Sequence, residues 1–253
     1  LKNRFKLNNT KINMINTLKN QIQSYRFHFL YLETNSLDEI KETFIRINSQ
    51  GMTVGKADAL FARTTNIGLR DLVDNTRRAT ITRQYNEMKP ESFIYTLILS
   101  KGEDRVGKTA LDNFVRKFKN QKQFKAKFQK EWKKYHKAFL QCIDYLADDF
   151  GVSYYSQLPS DNIFTMLSFF LYLNNGRPNT DQKREIRKWF WHTSLGERYS
   201  GSAFNKNIPN DIKFFRKLVK IKTYKYFISN KIISNDLLKK SYKQINSSAV
   251  KGF

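Results

Sequence analysis

Residues 102–109, GEDRVGKT, satisfy every fixed position of the phosphate-binding pattern G-x-x-x-x-G-K-[ST]. In a working loop of that kind the backbone amides cradle phosphates, the lysine reaches the terminal phosphates and the hydroxyl holds Mg2+. The loop must follow a strand and open a helix, within a fold that alternates strands and helices. Here it follows the apolar run FIYTLILS and precedes the amphipathic ALDNFVRKF. Glu103 and Asp104 stand where the amides would meet phosphate, and carboxylates there oppose an anion. A second strand ending in a metal-binding Asp is also required, and the nearest candidate, FLQCID, belongs to a helical stripe. The sequence therefore favours a glycine-punctuated turn between two helices, with Lys108 opening the second. A P-loop NTPase using these residues is the alternative.

A second constellation lies in FIRINSQGMTVGKAD, residues 44–58. Arg46 offers a planar, permanently charged fork suited to phosphate, and Asn48 offers both donor and acceptor. Ser49 follows, and Asp58 falls in the first turn of the next helix, where the dipole favours a carboxylate. The same residues also read as plain architecture: a helix stop over 48–51, a surface ion pair at Arg46 and a cap at Asp58. The three histidines are scattered, and neither His28 nor His192 has a carboxylate or nucleophile that the pattern places beside it. Cys142 is the only cysteine, which excludes an internal disulfide and a Cys-rich zinc site.

The third feature is a charge pattern. Phe124, Phe128, Trp132, Tyr135, Phe139, Cys142, Ile143 and Leu146 recur at helical spacing, which predicts a helix of roughly seven turns closed near Gly151. Its opposite face carries Lys125, Lys127, Lys130, Lys133, Lys134 and Lys137. Lys127, Lys130, Lys133, Lys134 and Lys137 are the candidate nucleic-acid contacts. The whole chain carries 46 basic against 22 acidic residues, net +24, a field that favours polyanions. Residues 101–140 hold 13 basic and 4 acidic side chains, and the segment after Asn210 holds 11 and 2. Each block is near +9, more than solubility requires. A non-catalytic basic scaffold for protein contacts is the third reading of that charge.

The elements that must position these groups are mostly helical. YRFHFLYLE, residues 25–33, alternates and predicts the one clear strand. Ser36 with Glu39 reads as a capping box, followed by a face of Leu37, Ile40, Phe44 and Ile47, with Gly51 as the stop. Further helices are expected over 56–63, 69–85, from Ser160 to NNG, from Thr180, and from Asn210. Pro90 can open another, although residues 93–98 fit a buried strand equally well. Ser234 or Asn235 could cap a last helix through Lys240. The longest apolar run, IFTMLSFFLYL, is too short to span a bilayer, and residues 1–20 lack a signal-peptide core. Phe5, Leu7, Ile12, Met14 and Ile15 give the amino end packing character, as though the chain begins inside an element. The expected location is the cytoplasm, and the expected fold is mainly α, with a small α+β remnant at the amino end.

Residues 44–58 resemble the signature F-x-R-I-N-[ST]-x-G-x-x-L-[ST]-x-x-[DE] of the GmrSD-type restriction endonuclease N-terminal family. Phe44, Arg46, Ile47, Asn48, Ser49, Gly51 and Asp58 match, whereas Val54 and Gly55 depart from it. KWFWHTSLGERYSGS, residues 188–202, resembles the aromatic and Arg-Tyr-Ser segment of the same proteins, and SSAVKGF a later one. The resemblance runs from about Tyr25 to the end. It implies a ParB/sulfiredoxin-like nucleotide domain followed by helices, acting in nucleotide-dependent phage restriction on modified or foreign DNA. It further implies NTP with Mg2+ in a full-length protein, and Arg46, Asn48, Ser49 and Asp58 bordering the nucleotide. The family's D-G-Q-Q-R motif has no counterpart here, and none of the histidines sits in a nuclease motif. Residues 1–65 are then the carboxy-terminal part of the nucleotide domain and 66–253 a basic, DNA-contacting helical domain. The partners expected are DNA and either a missing amino-terminal half or a nuclease subunit. By itself the chain is expected to be catalytically inactive.

Overall fold

The computed structural model describes residues 8–25, 31, 33–34, 36, 39–43, 46, 55–118 and 124–227. The protein is mainly helical, and among the described residues there is no strand. The expected strand over 25–33 lies mostly outside them, as do the last helix through Lys240 and the Gly51 stop. Two compact units divide at Thr43 and Phe44.

The first unit holds α1 (Asn9–Gln23), capped by Asn8, whose side chain accepts from the Lys11 amide at 2.9 Å. Its apolar residues are not core: α1 buries none of its side chains. The capping box forms only by half. Ser36 Oγ accepts from the Glu39 amide at 3.3 Å, but the Glu39 carboxylate takes the Thr34 hydroxyl at 2.6 Å instead.

The second unit contains α2 (Lys56–Arg63), α3 (Leu69–Ile81), α4 (Pro90–Ser100), α5 (Lys108–Phe118), α6 (Phe124–Phe150), α7 (Asp161–Asn174), α8 (Thr180–Leu195) and α9 (Ala203–Lys220). α7 is its hub. Ser160 caps it, accepting from the Asn162 amide, and Ile163 to Leu171 are buried without interruption. A helix apolar on every side must be covered on every side, and α4, α6 and α9 all pack on α7.

The α4–α7 seam uses small residues. Thr96 donates to the Thr165 carbonyl at 3.1 Å, and Thr165 donates to the Ser92 carbonyl at 3.3 Å. The α6–α7 seam is aromatic: Phe139 packs on Phe164, and Tyr135 stacks on Tyr172 with centroids 4.0 Å apart. α6 ends as its sequence predicts, on Gly151 at φ +71°, with the Val152 amide reaching back to the Leu146 carbonyl. That is the left-handed stop for which glycine has no Cβ penalty.

Two expectations need correction. α3 ends at Ile81 rather than near Tyr85. The Arg83 and Gln84 amides fall back on Thr80 and Ile81, and Gln84 takes φ +63°, which breaks the helix. α9 begins at Ala203, not Asn210, and carries Pro209 inside it. Pro209 reads as a breaker because it lacks an amide. It nevertheless sits just after the first turns, where burial of Phe204 and Ile208 holds the preceding residues helical.

Candidate nucleic-acid interface

The face of α6 opposite its core is built by the same spacing that builds the core. Phe128, Trp132, Tyr135, Phe139 and Cys142 are buried. Lys127, Lys130, Lys133, Lys134 and Lys137 are all exposed. At about 100° per residue these five lysines fall in an arc of about 120°, turned roughly 160° from the aromatic stripe. From Lys127 to Lys137 the arc runs about 15 Å along the axis.

No carboxylate of the described residues pairs with any of the five. The one acidic residue on that stretch of α6, Glu131, borders the arc but is engaged elsewhere. It receives Lys101 Nζ at 2.6 and 2.7 Å and the Tyr172 hydroxyl at 2.7 Å. Burial alone would raise the Glu131 carboxyl, but those hydrogen bonds and the Lys101 charge outweigh it and hold the group below its usual range. The arc is thus an unneutralised strip of positive charge on a helix anchored by aromatic packing.

Beneath the arc, Thr76 of α3 ties the helix down. Its hydroxyl donates to the Leu72 carbonyl at 2.9 Å and accepts from Trp132 Nε1 at 3.2 Å. His136 Nδ1 lies 3.1 Å from the same oxygen. With the hydroxyl proton committed to Leu72, the remaining lone pair suits a proton on Nδ1. Burial first, and the Arg83 charge second, push the His136 pKa below its ordinary value.

Arg46 is an exposed helical residue, while Asn48 and Ser49 lie outside the described residues. Asp58 sits in the first turn of α2 and pairs with Arg70 at 2.8 Å; the Arg70 guanidinium also lies over the Phe61 ring. The structure thus gives Asp58 an exposed ion-pair partner on α3.

GEDRVGKT is a turn from α4 to α5, because the apolar run before it is helix throughout. The strand that a phosphate loop requires is therefore replaced by a buried helix. The Val106 amide is taken by Asn205 Oδ1 at 3.3 Å, and Glu103 accepts from Asn113 at 3.3 Å. Lys108 is the exposed first residue of α5.

Sequence reasoning missed a buried charged junction between α8 and α9. Asp211, 1% exposed, accepts from Arg198 Nη2 at 2.7 Å and from the Tyr199 hydroxyl at 2.5 Å. Burial, then the Asp211 charge, hold the Tyr199 phenol well above its usual range. Glu185, also buried, accepts from Lys188 Nζ at 2.8 Å and from the Tyr226 amide at 2.8 Å. The Tyr226 hydroxyl lies 2.8 Å from His192 Nδ1, so residues 221–227 are fastened back onto α8. Burial works to raise the Glu185 carboxyl, but its hydrogen bonds to Lys188, Tyr226 and Arg184 hold it low. Arg198 and Tyr199 belong to the segment singled out in the sequence, and here both serve the fold.

No family model, curated protein or solved structure matches the chain. Among the described residues no helix is long and apolar enough to cross a membrane.

Proposed function

We propose that this chain contacts duplex DNA through the lysine arc of α6, as the DNA-binding helical portion of a GmrSD-like, nucleotide-dependent phage-restriction protein. The observation that carries the DNA contact is the arc itself: five exposed lysines, unpaired with any described carboxylate, on a helix held rigid by its aromatic stripe. Such a strip positions a protein on phosphates without reading bases. The family assignment rests on the motif at 44–58 and the segment at 188–202, and it gives Arg46, Asn48, Ser49 and Asp58 their role beside a nucleotide.

The test is fluorescence anisotropy with a labelled duplex at low salt. Reversing Lys130, Lys133 and Lys134 to Glu should weaken binding at least about tenfold, and to a similar degree on unrelated sequences. Circular dichroism of that variant should be unchanged, because the three side chains lie off the buried stripe. Undiminished affinity, with as many duplexes bound per chain as in wild type, would remove α6 as the contact.

A further inference from the structure

A second lysine stripe runs along α9, and its placement differs from that of α6 in one consequential way. Lys206, Lys213, Lys217 and Lys220 are all exposed. At about 100° per residue they fall within an arc of about 60°, a row about 21 Å long that passes Pro209 between Lys206 and Lys213. α9 has a single carboxylate, Asp211, and it is buried against Arg198 and Tyr199. No described carboxylate pairs with the four lysines; Lys217 reaches only the Tyr224 ring and hydroxyl. Arg216 flanks the row but is partly engaged, donating to the Leu99 carbonyl at 3.4 Å.

Both stripes are mounted on α7, from different sides. α6 meets α7 at Phe164 and Tyr172. α9 meets it at Phe170, through Phe215, and at Phe169, through the Arg216 guanidinium. On an α-helix those two pairs of residues point about 150° apart. Each outer helix turns its apolar face to α7 and its lysines roughly 160–170° away from it. The two basic rows therefore stand on opposite flanks of a three-helix layer, α6–α7–α9. Helix axes in contact lie about 8–10 Å apart, so the axes of α6 and α9 are separated by roughly 16–20 Å. That exceeds the screening length of about 8 Å at physiological salt. Polyanions on the two flanks would scarcely repel one another.

We infer that α9 is a second duplex-binding site and that one chain bridges two DNA segments, one on each flank. The inference rests on the α6 reading for its first site, and it adds the second site and the bridging. A duplex is the occupant the geometry favours. The α9 row lies along one face of one helix, and its length covers about six base pairs at 3.4 Å each. A single short duplex cannot serve both flanks, since DNA is stiff over this distance.

Native mass spectrometry of the full chain with a blunt duplex of about twelve base pairs, at about 50 mM salt, reads the stoichiometry directly. The inference expects one chain carrying two duplexes at saturation. Lys206, Lys213 and Lys220 reversed to Glu should leave a one-to-one complex, and so should the α6 triple reversal. A bead-bound duplex should then recruit a second, labelled duplex through the wild-type chain, with recruitment falling at least tenfold in either variant. A wild-type complex that stops at one duplex per chain would overturn the bridging while leaving the α6 contact standing. Two duplexes bound by the α9 variant would place the second site elsewhere and overturn it as well. Absence of any complex would instead remove the α6 reading beneath it.

Discussion

The lysine arc of α6 and the junction of α8 with α9 use charge in opposite ways. On α6 the charges are exposed, alike in sign and unpaired, and each hydrated ammonium costs the fold little. At the junction, Glu185 and Asp211 are buried, and each is met by a cation and by a further donor. A buried carboxylate without such partners would be strongly destabilising. Substitution in the first region should cost little stability; substitution in the second should cost much. That contrast separates charge kept for a partner from charge consumed by the fold.

The largest effect should come from breaking the junction. Asp211→Ala leaves Arg198 buried with its main partner gone, and loss of one member of a buried pair costs about 3–5 kcal/mol. For a chain of this size a thermal melt followed by circular dichroism should fall on the order of 10 °C. A change within a degree or two would show that the pair contributes little. By contrast, the α6 triple reversal should move the midpoint by no more than the small shift usual for surface changes.

Acid should separate the regions next. Glu185 and Glu131 are held below the usual carboxylate range, so their contribution is present above it and is lost as pH falls through the lowered values. His136, held low by burial and Arg83, adds a loss that begins as pH drops below its ordinary value of 6.5. Stability measured by denaturant should thus be level between about pH 7 and 8, decline gently below about 6.5 and fall more steeply below about 4. Glu185→Gln should flatten the steep part. A profile in that variant identical in shape to wild type would contradict the assignment.

The smallest effect is expected at the phosphate-loop pattern. Lys108→Ala should change neither stability nor phosphate release from ATP or GTP, with or without DNA, because the chain alone is expected to release none. Wild-type turnover abolished by Lys108→Ala would reverse the reading of residues 102–109.

Much of this contrast was legible in the sequence, but unevenly. The α6 stripe and its lysine face were plain because both repeat at helical spacing over many turns. α2 and the Ser160 cap of α7 followed from local signals that the structure keeps. α4 was ambiguous for a physical reason: its residues from Ser92 to Leu99 are buried on nearly every side, so no period distinguishes helix from strand. The start of α9 was hidden by Pro209, whose local preference was overridden by burial of the residues before it. The junction was not legible at all. Arg198 and Tyr199 meet Asp211 across a turn, and Glu185 meets Tyr226 forty-one residues away, separations that carry no periodic signal. The pattern at 102–109 shows the reverse failure, a local match whose required strand is a helix.

The central claim is that the α6 lysines are held for phosphate. The most direct measurement is the dependence of duplex affinity on salt, for wild type and for the Lys130, Lys133, Lys134 to Glu variant. Each phosphate neutralised contributes about −0.9 to the slope of log K against log salt. With about six contacts, wild-type affinity should drop roughly a thousandfold between 50 and 200 mM salt. The variant's slope should be shallower by about 2.7 if each lysine covers one phosphate. Equal slopes, with as many duplexes bound per chain in the variant as in wild type, would contradict the account.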